Sequence, residues 1–385
     1  MEENTNKNHK AKPGHKQTIL RTDETTSASS NPISRYAELH AHSNYSFQEG
    51  ASEIWDLLLT AKNIGLKAMA ITDHDNITGA MEFSQAAKEL GIKPIIGVEI
   101  TLSRGLSEPS GTKHLPPNQP HITLLAETAI GYKNICRLTT RAHVDAEERK
   151  YPNLDPIVLK KHSQGIICLS GCRQGEISRL VDNGDFESAR HAASKYLNIF
   201  GKEYFFMELQ QNLVMGDLQR NQNMAKLASD LGVGIVATNN VHYHIRDRHR
   251  LNDSLIAIKH NKSLEASHRE RRPNDQFFLK SAEEMSALFK TLPEAIANTT
   301  KIADRCEFDV TSNSIYDFPS YEFLPPGHTE SSYLRKICEE AAVRRYGSLK
   351  TNVVTRLDQE FALLEKHQLI GFVLQYYDII KIARE

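Results

Sequence analysis

Residues 67–80 read KAMAITDHDNITGA. A short apolar run ends in three consecutive titratable side chains, Asp73, His74 and Asp75, with Gly79 close behind. Such groups are costly inside a core and ordinary in a loop. The segment therefore reads as a buried strand over 67–72, a polar turn at its C-terminal end and a helix over 78–90. The same unit recurs outward from it. Strands are expected over 35–40 (RYAELH), 93–100 (KPIIGVEI), 121–126 (HITLLA), 165–170 (GIICLS), 204–209 (YFFMEL) and 233–238 (VGIVAT). Their near-continuous apolar character suits strands covered on both faces. Ile54, Leu57, Leu58 and Ala61 recur at helical spacing behind Ser52, a suitable N-cap, and 130–143, 174–200 and 216–231 are similarly amphipathic. Seven strands with crossover helices predict an α/β fold, a closed or nearly closed parallel βα barrel. A doubly wound open sheet accommodates the same segments.

The flanks differ in texture. Residues 1–34 are polar with almost nothing to bury and read as a disordered tail. Beyond about residue 245 strand signals fade, and helices are expected over 281–290, 293–306, 330–346 and 353–368, with YDFPSYEFLPPGHTE (316–330) as a proline-rich connection. This places a boundary near residue 275. The last stretch, LIGFVLQYYDIIKIARE, is apolar and aromatic and asks for a partner surface. Charge is balanced, with 47 Lys+Arg against 48 Asp+Glu and a pI near 7.0, so contact with nucleic acid must come from local patches such as HIRDRHR (244–250) and SHRERRP (267–273). No run is long enough to span a membrane and no signal peptide opens the chain, which predicts a cytoplasmic protein. Five cysteines, odd in number and mostly far apart, do not suggest a disulfide framework.

Chemistry-bearing residues gather where strands end. The first expected strand runs into His40-Ala41-His42 and the second into Asp73-His74-Asp75. The third carries Glu99, the fourth opens at His121, the fifth is followed by Cys172, and the seventh by Asn240-Val241-His242. In a parallel barrel the C-terminal strand ends share one face. His121, at the start of its strand, is out of place in that scheme. Alternation sends both rings of a His-x-His pair to one side of an extended chain. Imidazoles, carboxylates and a thiolate suit Zn, Mn or Fe, and there are too many donors for one tetrahedral ion. A lone His-x-His or TDHD is more often surface or turn, and it is the joint occurrence that points to a multinuclear site for phosphoester hydrolysis. Glu208 reads as a structural partner, and His143, His162, His191 and His260 as ordinary surface histidines.

The segments ELHAHSNYSFQEGAS, AMAITDHDNITGA, KPIIGVEITL, HITLLAETAIGYKNICRLTT, LSGCRQGEI, VATNNVHYH and PEAIANTTKIADRCEFD together resemble the N-terminal part of the bacterial DNA polymerase III alpha subunit, closest to its error-prone branch. The resemblance implies a distorted seven-stranded βα (TIM-like) polymerase and histidinol phosphatase (PHP) barrel over 35–275. Residues 276–385 become a mainly helical segment leading into an incomplete palm and thumb region. It places metal ligands at His40, His42, His74, Glu99, His121, Cys172 and His242, and gives Asp73 the role of orienting His74. Glu49 and Asn240 stand where the metal-binding members carry Asp. Glu reaches one methylene further and Asn lacks the charge to bridge two cations.

These departures lead to an expectation of one to three divalent ions (Zn, Mn or Fe), with editing 3'-5' exonuclease activity weak or absent. No catalytic residue is assigned with confidence. The family's palm carboxylates, which hold Mg for nucleotidyl transfer, lie downstream of Glu385, so the chain is expected to be a fragment, a truncated product or one half of a split polymerase. The expected partners are DNA, the remainder of the polymerase and other replication or repair proteins, with no membrane. The alternatives are a free-standing PHP-type metal-dependent phosphoesterase or exonuclease, and a non-catalytic interaction module.

Overall fold

The computed structural model describes residues 35–112, 114, 119–148, 150–312 and 320–384. The expected tail 1–34 and residues 316–319 of the proline-rich connection lie outside the described residues. Six strands, β1 (Ala68–Ile71), β2 (Lys93–Thr101), β3 (His121–Ala126), β4 (Ile166–Leu169), β5 (Phe205–Gln210) and β6 (Gly234–Thr238), form one sheet in sequence order. All neighbours are parallel except β3, which is antiparallel to both β2 and β4.

Two expectations are corrected. The sheet is mixed rather than all-parallel, and among the described residues it has six strands rather than the expected seven. The segment expected as a strand over 35–40 makes only single bridges, Glu38 to Met69 and Ala41 to Val241. The reason lies in its amides. The amide of Ala37 donates to Thr299 Oγ1, that of His40 to the Glu38 carboxylate and that of Ala41 to Thr72 Oγ1. Side chains thus take the donors that a strand ladder needs.

The antiparallel course of β3 resolves the position of His121. Its register pairs Thr101 with His121 and Glu99 with Thr123, so the start of β3 lies beside the end of β2. One rim therefore collects the C-terminal ends of five strands and the N-terminal end of β3.

Helices cover the sheet. α1 (Ile54–Asn63) buries the face Ile54, Leu57, Leu58 and Ala61, each apolar side chain worth about 1.5–3 kcal/mol for the larger ones. Its N-cap is Glu53 without a side-chain cap, since Ser52 Oγ is engaged with His244 Nδ1 at 2.7 Å. α2 (Ala80–Leu90), α3 (Ala129–Val144) and α6 (Asp217–Leu231) follow the expected spans closely. The single helix expected over 174–200 is two, α4 (Glu176–Asp182) and α5 (Phe186–Phe200). The break falls at Gly184, with φ 77°, and Asp185 caps α5 by accepting from the Ser188 amide.

After the sheet come α7 (His249–Lys259), α8 (Ala282–Leu288) and α9 (Pro293–Arg305). Asn298 on α9 donates to the Ile235 carbonyl of β6 at 2.8 Å, so this helix packs on the sheet. α10 (Glu330–Tyr346), α11 (Thr351–Lys366) and α12 (Ile370–Arg384) share a separate apolar cluster of Tyr321, Leu334, Phe361, Ile370 and Leu374. Among the described residues no helix is long and apolar enough to cross a membrane.

Candidate metal centre

At the rim, donor atoms of His40, His42 and Glu99 lie within 4.8 Å of one another, as do those of His74, Glu99 and His121. Glu99 belongs to both groups. Its Oε1 lies 3.4 Å from His40 Nε2 and 3.4 Å from His121 Nδ1, and its Oε2 lies 3.6 Å from His42 Nε2 and 3.8 Å from His74 Nδ1. The position of Glu99 is fixed by main-chain bonds, because the His74 segment bridges to it and the Asp75 amide donates to its carbonyl at 2.8 Å.

The protons can be placed by asking which partner is able to donate. His40 Nδ1 lies 2.6 Å from Glu208 Oε1. A carboxylate only accepts, so Nδ1 carries the proton and Nε2 presents a lone pair. That Nε2 is buried without a hydrogen-bond partner, and so is Glu99 Oε1 opposite. Two acceptors facing each other call for a cation between them, a proton or a metal ion. Burial opposes charge on His40, but Glu208 and Glu99 outweigh it and push its pKa up to about 10.

His42 is arranged in the same way. Ser46 Oγ donates to Asp73 Oδ1 at 2.7 Å, so it must accept from His42 Nδ1 at 3.0 Å, and His42 Nε2 is left as a lone pair toward Glu99. Burial holds His42 neutral, with a pKa down at about 3, a shift that the neighbouring His40 and His74 reinforce and Glu99 opposes. Where a metal ion replaces the proton on His40 Nε2, His40, His42 and Glu99 offer two imidazole nitrogens and one carboxylate, a donor set that fits Zn, Mn or Fe.

The second group is held differently. His74 Nδ1 contacts Glu49 Oε2 at 2.9 Å, and its Nε2 contacts Thr101 Oγ1 at 2.7 Å. Thr101 Oγ1 itself donates to Asp75 Oδ2, so both His74 nitrogens donate and the ring is an imidazolium. Burial opposes this, yet Glu49 and Asp75 raise its pKa to about 10. Glu49 also forms an ion pair with Lys259 of α7, and although burial would raise its pKa, His74 and Lys259 hold it well below the usual carboxylate range. Arg272 donates to His242 Nδ1 at 2.8 Å, so the Nε2–H of His242 points to Asn240 Oδ1 at 2.9 Å. Burial, then Arg272, keep His242 neutral. On this side the protein supplies its own positive charge through His74, Lys259 and Arg272.

Residues 38–212 match the family model described as the PHP domain. The chain carries a PHP domain. Over nearly its whole length it is homologous to the N-terminal part of DNA polymerase III alpha subunits and error-prone polymerases. An error-prone DNA polymerase of Symbiobacterium thermophilum is 34% identical over 367 residues, covering 91% of this chain and 32% of that protein. A DNA polymerase III subunit alpha of Borreliella burgdorferi is 33% identical over 353 residues, covering 91% of this chain and 30% of that protein. The chain thus spans about a third of the length of the curated relatives it matches. Among solved structures, an amidohydrolase from Chromobacterium violaceum aligns over 54% of this chain and 88% of its own at 13% identity, with a TM-score of 0.38.

The PHP rim brings the residues singled out in the sequence into mutual contact. His40, His42, His74, Glu99 and His121 form the two compact donor groups. Cys172 lies against Glu99 with its thiol pKa pushed well up by burial and by that carboxylate, while its sulfur accepts from the Gln174 amide at 3.5 Å. Glu49 sits on His74, and Asn240 and His242 sit against His42, whose ring stacks on His242 at 4.3 Å. Asp73 accepts from Ser43 and Ser46, so it bears on the His42 ring through Ser46. It reaches His74 only through the amide that donates to Ser46 Oγ at 3.0 Å. Asp75 accepts from the Thr101 amide and hydroxyl in a turn with φ 54°.

Sequence reading gave no site role to Lys259, Arg272, Ser46 or Thr101; Arg272 entered it only as part of the basic patch SHRERRP. His143, read there as a surface residue, is exposed on α3, and its Nε2–H donates to the Asp75 carbonyl at 2.7 Å.

Proposed function

We propose that this chain is the PHP module of a DNA polymerase III alpha-type protein, of the error-prone kind, and that it binds one divalent ion firmly through His40, His42 and Glu99. The observation that carries the reading is the pair of buried, unpartnered acceptors His40 Nε2 and Glu99 Oε1, 3.4 Å apart. An ion held there would polarise a phosphoester and make water a nucleophile near neutral pH. The chain's own residues prepare the position. Glu208 orients His40, Asp73 and Ser46 orient His42, and burial on both sides excludes water.

A second ion competes with groups already in place. Binding at His74, Glu99 and His121 requires His74 to give up a proton and Glu49 to leave Lys259. With Asn240 in place of a carboxylate, this side gains no compensating charge. Hydrolysis, which in multinuclear sites uses a second ion to steady the leaving oxygen, is therefore weak. The homology to DNA polymerase subunits supports a DNA context for the module.

The test is metal content and phosphodiester hydrolysis of the purified chain beside His40→Ala and Asn240→Asp variants. We expect about one tightly held ion, lost in His40→Ala, and hydrolysis that Asn240→Asp increases. Strong hydrolysis by the wild type, abolished in His40→Ala, would instead favour a working phosphoesterase or exonuclease.

A further inference from the structure

A cleft of about 350 Å³ opens between α3 and the 3-10 helix Pro156–His162, lined by Cys136, Arg137, Thr140, Arg141, Lys161 and His162. None of these six residues is acidic, and three carry permanent positive charge. Arg137 and Arg141 stand one helical turn apart on α3, so their guanidinium groups share a face. Arg137 donates through one nitrogen to Asn134 Oδ1 at 3.0 Å, a neutral partner, and Arg141 meets Asp145 through Nε at 3.4 Å. Lys161 faces them from the C-terminal end of the 3-10 helix. Thr140 Oγ1 is already committed to the Cys136 carbonyl at 2.7 Å and adds no donor. His162 reports the excess of positive charge, because burial lowers its pKa and Lys161, Arg137 and Arg141 lower it further.

We propose that this cleft is a phosphate-binding site. Two guanidinium side chains and an ammonium side chain border a cleft with no acid among its lining residues, and turned inward they would offer several charge-assisted donors to one tetrahedral anion, which arginine binds through its planar fork. The site is independent of the metal centre, since none of its lining residues belongs to the rim. α3 does reach the rim through His143, which bonds the Asp75 carbonyl. Two sources of the phosphate group follow from this: a phosphodiester chain running along the flank, or a free di- or triphosphate.

Cys136 provides a local readout. It is half-buried in the cleft, while Cys338, of similar exposure, lies in the C-terminal helices and serves as an internal control. The experiment measures peptide-resolved alkylation of the full chain at low salt with EDTA present, adding inorganic pyrophosphate in one arm and a short oligothymidylate in the other. Occupancy should slow alkylation of Cys136 several-fold and leave Cys338 unchanged. In Arg137→Gln/Arg141→Gln the concentration needed should rise by at least tenfold, and Arg137→Lys/Arg141→Lys, which keeps the charge, should fall between. Protection by pyrophosphate alone assigns a free phosphate ligand, and protection by the oligonucleotide assigns a nucleic-acid backbone. If neither ligand slows Cys136, or the Gln variant is protected as well as the wild type, the site does not exist.

Discussion

Nδ1 of His40 donates to Oε1 of Glu208 across 2.6 Å, tying the extended segment before β1 to β5 beneath the candidate metal centre. Thr238 and Gln210 donate to the same oxygen at 2.5 and 2.9 Å, so the carboxylate itself cannot turn. Such a bond fixes the tautomer and raises the basicity of a metal-ligating imidazole. Glu208→Gln keeps the volume but offers that nitrogen a weaker acceptor or a competing donor. Metal affinity should fall about 10–100-fold, read as zinc or manganese retained against a graded chelator. Retention equal to the wild type would reduce Glu208 to a packing group.

The ion pair of Lys259 with Glu49 suggests the opposite change. Lys259→Met removes the ammonium and leaves Glu49 paired with His74, with Arg272 nearby. The number of ions bound per chain at saturating manganese should rise, and Lys259→Met/Asn240→Asp should exceed either single variant. Elemental analysis after gel filtration checks this. Stoichiometry unchanged in the double variant would mean that Lys259 is a surface partner and that something else limits the second ion.

How far the sequence reached can be judged from His121 and from Glu38. The convergence of titratable groups at strand ends was legible because strands are short apolar runs with polar turns after them, and all six strands were recognisable on those grounds. Strand direction was not legible, since an apolar run reads alike in either sense, and His121 stood out until the antiparallel β3 placed it beside Thr101. The segment 35–40 has the texture of a strand, but no local pattern shows that Glu38, Thr72 and Thr299 intercept its amides from as far as 262 residues away. The site roles of Lys259 and Arg272 were not legible for the same reason. A cation in a helix or loop becomes part of a site only through tertiary contact.

Gly50 closes the turn that carries Ser46 and Glu49. A Cβ at this position would stand 1.8 Å from the Ser43 carbonyl oxygen, a main-chain atom with no room to retreat, since the adjoining Asn44 amide is bonded to Ser52. Gly50→Ala must therefore shift the 43–50 turn. We expect a loss of roughly 2 kcal/mol or more in chemical denaturation, with weaker metal retention because Ser46 no longer orients His42. A variant that unfolds with the wild type and retains its metal would show that the turn adapts.

Lys280 is 3% exposed, with Nζ 4.2 Å from the centre of the Phe278 ring and 3.1 Å from Asn239 Oδ1. Burial lowers its pKa to about 8, a shift that Glu38 partly opposes. Between that value and the ordinary lysine value near 10.5 the unfolded chain binds more protons than the native one, so Lys280 makes stability rise as pH climbs through this window, by up to about 3 kcal/mol. Below pH 8 both states hold the proton and the cost of the buried charge is constant. The thiols Cys168, Cys172 and Cys306, with pKa values pushed up by burial, act in the opposite direction above pH 9, but they do so equally with and without Lys280. The difference between wild type and Lys280→Met therefore isolates the lysine. Both acceptors it leaves keep another donor, Asn212 on Asn239 Oδ1 and Asn239 on the Gln276 carbonyl. At pH 7 the variant should be the more stable protein, and its advantage should shrink steadily from pH 8 to 10.5 in isothermal denaturation. A difference that stays constant across that range would mean that Lys280 keeps an ordinary pKa in the folded chain.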